Sequence, residues 1–197
     1  MSNQQAEYFH QKYGMTKTHS AVVDAMAHVA PCKVLDLGCG QGRNALYLAL
    51  LGFDATASDY NPGGLGSLQA MAEAEGLKVR TEVYDMNQAA IDEQYDFIVA
   101  TVVFMFLNAE RVPDIIANMQ EQTSAGGYNL IVSAMDTLDY PCHMPFSFTF
   151  KENELREYYK DWELLVYKEE IGSMHARDAQ GNPIQLKFVT MLAKKPE

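Results

Sequence analysis

The chain is poor in positive charge. Fifteen lysines and arginines stand against 26 aspartates and glutamates, for a formal net charge of −11 at pH 7. No lysine or arginine block interrupts this balance, so a basic face for duplex phosphates is missing and nucleic acid is not an expected partner. Cysteine is scarce. Cys32, Cys39 and Cys142 are odd in number and unrelated in spacing, which argues against a disulfide framework or a metal site and for reduced thiols. No apolar run reaches the roughly 18 residues of a spanning helix. The polar residues 1–12 lack the pattern of a secretion signal. The expectation is a cytoplasmic protein with no membrane partner. Internal repeats, low-complexity segments and linkers are also lacking. What remains is an ordinary globular composition, 48% hydrophobic and 21% charged over 197 residues, suited to one domain with a full core.

The most informative stretch that is present runs Lys33-Val34-Leu35-Asp36-Leu37-Gly38-Cys39-Gly40-Gln41-Gly42-Arg43. A short apolar run gives way to three alternating glycines, and an amphipathic segment follows. This reads as a buried strand, a tight turn and a helix. Glycines let backbone approach a ligand closely, and the free N–H groups of a helix start favour anionic groups. The dinucleotide fingerprint G-x-G-x-x-G would need a glycine where Arg43 stands, and it has no counterpart to Asp36. The pattern instead resembles D-x-G-x-G-x-G, the first motif of class I methyltransferases. That resemblance implies S-adenosylmethionine as cofactor, with S-adenosylhomocysteine as product. At Cys39 only a small residue is required.

Periodicity and punctuation predict the remaining elements. Helices are expected at 18–29 (N-capped by Ser20 or Thr18), 43–51, 62–75, 109–122 and 151–162. Strands are expected at 33–37, 53–58, 78–84, 95–103 and 128–134, and a hairpin at 164–172 and 184–194. Strand and helix alternate until the hairpin, which is the mark of a mostly parallel α/β sheet with helices on both faces. The resemblance makes this a Rossmann-like, seven-stranded methyltransferase sheet with an antiparallel C-terminal pair. Within one domain over 1–197, residues 1–30 form a helical arm, 31–136 the cofactor core and 137–197 the substrate side.

Ligands of such sheets bind beyond the carboxyl ends of the strands, and the candidate residues fall there. Asp59 follows the second strand, seventeen residues after Gly42, where a carboxylate can accept both hydroxyls of a ribose; its alternative role is a helix N-cap. Tyr60 would lie against adenine or simply pack. Asp85 would accept the adenine amine, with the backbone N–H of Met86 on a ring nitrogen; otherwise Asp85 is a turn acid. Asp36 would fix the glycine turn and help hold the cofactor amine, Thr101 would add a carbonyl there, and Arg43 would pair with the methionine carboxylate. The segment after the fourth strand lacks the Asn/Asp-Pro-Pro-Tyr/Phe tetrad of amino-group methylation. Its Phe104 and Phe106 suit either a hydrophobic lid or core packing.

Several segments narrow the resemblance. They are Tyr13 with Thr18-His19-Ser20, Gly42-Arg43-Asn44, Gly126-Gly127-Tyr128-Asn129-Leu130-Ile131-Val132, Ala134-Met135-Asp136-Thr137 and Asp139-Tyr140-Pro141-Cys142. Nearly end to end, the chain resembles the TehB-like tellurite-resistance methyltransferases. This implies methylation of tellurite and selenite oxyanions. Tellurium(IV) and selenium(IV) carry a lone pair, so no proton need be removed, but an anionic acceptor needs local positive charge. The family's candidates map to His175, Arg177 and Lys187. The chain departs from the pattern with Ala176 between His175 and Arg177, and with lysine in place of arginine at 187. His19 and Tyr13 would close the site or serve capping and packing. Two alternatives stay open: another small organic acid or thiol as acceptor, and a non-catalytic cofactor-binding module. A nicotinamide-dependent reductase is disfavoured by the glycine spacing. The sequence leaves the oligomeric state open.

Overall fold

The computed structural model describes residues 3–197; Met1 and Ser2, the start of the polar segment, lie outside them. Strand β1 (Lys33–Leu37) is central because its apolar side chains point alternately to two covered faces. Beside it lie β2 (Asp54–Asp59) and β4 (Tyr95–Thr101), flanked by β3 (Val79–Val83) and β5 (Thr123–Ala134). The hairpin strands β6 (Glu163–Arg177) and β7 (Pro183–Lys194) complete a seven-stranded sheet in the order β3-β2-β1-β4-β5-β7-β6. Strands β1 to β5 run parallel, and β7 is antiparallel to both its neighbours. This is the sheet the resemblance implied.

Helices α1 (Asn3–Tyr13), α2 (Ser20–Ala25), α3 (Arg43–Leu50), α4 (Pro62–Ala74), α5 (Val112–Glu121) and α6 (Glu154–Tyr158) cover it. On one face Leu35, Leu37, Ile98 and Ile131 pack with Ile115, Ile116 and Met119 of α5 and Leu155 of α6. On the other Val34, Phe97, Val99 and Leu130 pack with Val22 of α2 and Tyr47 and Leu48 of α3. Each such side chain contributes about 1.5–3 kcal/mol when fully buried. The strand order reverses between β1 and β4, so the loops leaving these two strands diverge and open a crevice.

Several expected boundaries shift, each for a visible reason. The arm begins with helix α1, which buries only a thin stripe: Ala6 and Phe9, with Tyr13 half-buried beside them. The cap of α2 is His19 rather than Ser20 or Thr18; its Nδ1 accepts from Ala21 N–H at 3.2 Å. Strand β4 stops at Thr101 instead of running to 103, because Val102 takes a left-handed conformation (φ 48°). Strand β5 starts at Thr123, ahead of 128, pairing that residue with Tyr95 across a bulge. Helix α6 has five residues rather than the twelve of 151–162, and follows Asn153 at φ 58°. Strand β6 continues beyond 172 to Arg177, which lengthens the hairpin toward the crevice.

Candidate active site

The crevice is built on the turn between β1 and α3. The N–H groups of Gly38 and Cys39 both donate to the Ser58 carbonyl at 2.9 Å, tying the turn to the tip of β2. The three glycines have positive φ but different neighbours. A Cβ on Gly38 would lie 2.6 Å from Val103 Cγ2, and one on Gly42 would lie 1.9 Å from Leu68 Cδ1. A Cβ on Gly40 would meet open space. Two glycines thus admit packing neighbours, and the middle one presents bare backbone to the crevice. Sequence reasoning missed Gly64 of α4, whose Cβ would sit 2.7 Å from the Gly40 carbonyl oxygen. The signal was the Gly63-Gly64 pair behind Pro62 in a helix, where glycine is otherwise costly.

Asp59 ends β2 and is 8% exposed. Its Oδ2 accepts from Gly40 N–H and its Oδ1 from Asn61 N–H, both at 2.9 Å. A carboxylate has about four acceptor positions, so two remain. Asp59, Tyr60, Asp85 and Met86 share the lining of a cavity of about 420 Å³. Asp85 caps a single 3₁₀ turn through Asn87 N–H at 2.9 Å, and its second oxygen makes no hydrogen bond among the described residues. Tyr60 is 76% exposed at the rim. Met86 is buried, its Sδ 3.2 Å from where a Gly38 Cβ would be.

Asp36 lies behind the turn rather than on the cavity surface. It is 2% exposed and accepts from Ala45 N–H at 3.0 Å, at the start of α3. Burial raises its pKa to about 7, opposed mainly by the Ala45 hydrogen bond and by Arg43. Thr101 Oγ1 accepts from Asn44 Nδ2 at 3.0 Å, and Asn44 Oδ1 accepts from His19 N–H at 3.0 Å. The N-terminal arm is therefore hydrogen-bonded to the helix that carries the turn. Thr101, Arg43, Gly38 and Gly40 line a second cavity of about 300 Å³.

A third cavity, about 450 Å³, adjoins these on the hairpin side. Arg43, His19 and His175 are the basic residues that line it. Arg43 Nη1 donates to the Lys17 carbonyl at 3.2 Å. Burial first, and then the nearby Arg43 and His175, push the His19 pKa down to about 4. Val102 lines all three cavities. A β-branched residue at φ 48° is a backbone outlier of the kind that persists only where the surroundings hold it. Here the Val102 N–H donates to the Val132 carbonyl at 2.7 Å.

The structure does not bring the other two predicted cations to this wall. Arg177 pairs with Pro183 beyond a register shift that follows Ser173, and its Nη1 donates to the Gly181 carbonyl at 2.7 Å, at the hairpin tip. Lys187 Nζ lies 2.9 Å from Asp139 Oδ2 and 3.0 Å from Oδ1. The two phenylalanines part company. Phe104 is fully buried in the core, whereas Phe106 is 64% exposed and rims the first and third cavities. His19 both caps α2 and lines the third cavity. Tyr13 stays away from the site, its hydroxyl on Glu75 at the end of α4.

The family described as tellurite resistance protein TehB matches residues 1–192. A probable S-adenosyl-L-methionine-dependent methyltransferase TehB of Haemophilus influenzae (strain 10810) is 61% identical over 189 residues, 96% of this chain and 66% of that protein. A protein of Eikenella corrodens described as hemagglutinin 1 is 67% identical over 193 residues, 98% of this chain and 64% of that one. The chain thus spans about two thirds of the length of these curated relatives. The crystal structure of TehB from Haemophilus influenzae matches with a TM-score of 0.95 at 60% identity, over 97% of this chain and 67% of that one.

Proposed function

This chain belongs to the family of the tellurite resistance protein TehB, and from that membership we propose an S-adenosylmethionine-dependent methyltransferase acting on tellurite and selenite in the cytoplasm, which detoxifies them. The observation that carries the reading is the junction at Val102, where a glycine-floored donor crevice opens into a chamber bearing Arg43 and His175.

The residues present fit the donor. Gly40 leaves room for its backbone contact, and Asp59 keeps two acceptor positions for the ribose hydroxyls. Asp85 receives the adenine amine beside the Met86 N–H, with Tyr60 over the ring. The second cavity takes the methionine end near Thr101, while Asp36 acts from behind by holding the start of α3. When bound, the donor supplies an electrophilic methyl group on a sulfonium. The chain's own task is to hold the acceptor in line with it and keep water out. Arg43 lines both the second and third cavities, where it pairs with the methionine carboxylate and, with His175, receives the oxyanion; Arg177 and Lys187 serve the hairpin through Gly181 and Asp139. In this division residues 1–30 cover the site, 31–136 hold the donor and 137–197 wall the acceptor.

The test is S-adenosylhomocysteine release by the purified protein with tellurite, selenite or no acceptor, alongside calorimetric titration of the donor. Turnover with an oxyanion is expected. Donor binding without turnover on either oxyanion refutes the reading and favours a non-catalytic binding module.

A further inference from the structure

The chamber beyond Val102 is larger and greasier than an oxyanion requires. It is an open-sided cavity of about 450 Å³, whereas a four-atom ion needs about four water volumes, ~120 Å³. Much of its wall is apolar, formed by Met105, Phe106, Ile171, Met174 and Phe188. Phe106 and Ile171, 64% and 54% exposed, are two of five exposed large hydrophobic side chains among the described residues. Exposed apolar surface grouped at one cavity marks a binding site for an apolar body.

We infer that this chamber also accepts thiols carrying an apolar tail and methylates them on sulfur. The inference rests on the donor site proposed above. The tail lies along Ile171, Phe106 and Phe188, and the sulfur faces the junction at Val102. The thiol proton passes to the His175 imidazole, and the Arg43 charge favours the thiolate. The sulfur lone pair forms a bond to the donor's methyl carbon as the sulfonium C–S bond breaks, its electron pair returning to the donor sulfur. The products are a methyl thioether and S-adenosylhomocysteine, and His175 releases its proton to water.

The experiment uses straight-chain thiols from ethanethiol to hexanethiol, which differ in tail but not in nucleophile, each assayed apart from tellurite. Thioether formation is expected, with kcat/KM rising about three- to fourfold per methylene until the chamber is full. Ile171→Ala should flatten that rise. Calorimetric binding of the matching methyl thioethers to the protein loaded with S-adenosylhomocysteine should strengthen along the same series. No thioether from any thiol, or rates and affinities indifferent to tail length, overturns the inference whatever happens with tellurite. Thioether formation without oxyanion turnover refutes the proposed substrate instead and leaves this inference standing.

Discussion

Replacing Asp59 by asparagine separates the job the structure shows for this carboxylate, tying the glycine turn to the tip of β2, from the one proposed for it, holding the donor. Its oxygens accept from the N–H groups of Gly40 and Asn61. An amide of the same shape can satisfy only one of them, because its Nδ2 is itself a donor. The lost bond and the N–H left facing a donor should cost about 1–3 kcal/mol of stability. For a chain of this length that lowers Tm by about 2–12 °C. Donor affinity should fall as well, since a charge-assisted acceptor for a ribose hydroxyl is worth about 1.5–3 kcal/mol. A loss near 2 kcal/mol is roughly a thirtyfold rise in Kd. Titration of S-adenosylhomocysteine by calorimetry reads the affinity, and thermal melting reads the fold. Asp54→Asn, at the exposed start of the same strand, is the control and should change Tm by no more than the equivalent of about 0.5 kcal/mol. If Asp59→Asn binds within twofold of the parent, the carboxylate does not hold the donor and the placement of the ribose is wrong.

The glycines should part in the same two assays. Gly42→Ala meets Leu68 at 1.9 Å and should unfold at lower temperature, whereas Gly40→Ala pays mainly the positive-φ strain of about 1 kcal/mol and loses donor affinity because its methyl enters the crevice. Arg43→Met should abolish oxyanion turnover in a folded protein, and Arg177→Met should leave most of it; the reverse order would return the hairpin arginine to the site. His19 has its folded pKa depressed to about 4 from 6.5, so the unfolded chain binds the proton first and stability is lost as pH falls through that window. His19→Asn keeps the cap and should remove that acid sensitivity, read as urea midpoints between pH 4 and 7. Asp36 acts in the opposite sense. Its folded pKa is raised to about 7 from 3.8, so stability declines as pH rises across that interval, and Asp36→Asn should remove the decline.

Much of this architecture was legible because it rests on local chemistry. The strand-turn-helix at 33–43, the stops at Gly52 and Gly76 and the hairpin punctuation at 178–183 are short-range signals, and the elements they imply are in place. Boundaries failed where a distant partner overrides propensity. The sequence Thr101-Val102-Val103 reads as unbroken strand, yet Val102 is left-handed with its N–H on the Val132 carbonyl, and Val103 beyond it packs against Gly38. Helix α1 was obscured by its polar majority, since Ala6 and Phe9 are its only buried apolar stripe and Tyr8, Lys12 and Tyr13 meet the body of the protein through Glu75.

The sequence by itself determined the succession of strands and helices along the chain and the acids at the strand tips, because glycine spacing and hydrophobic period act within a few residues. Which basic residues line the third cavity was decided only by tertiary structure. Arg43, His19 and His175 come from three separate segments, and Arg177 and Lys187 are drawn off by Gly181 and Asp139. Side-chain direction in a bulged hairpin depends on cross-strand register, and register is set by partners the linear pattern does not contain.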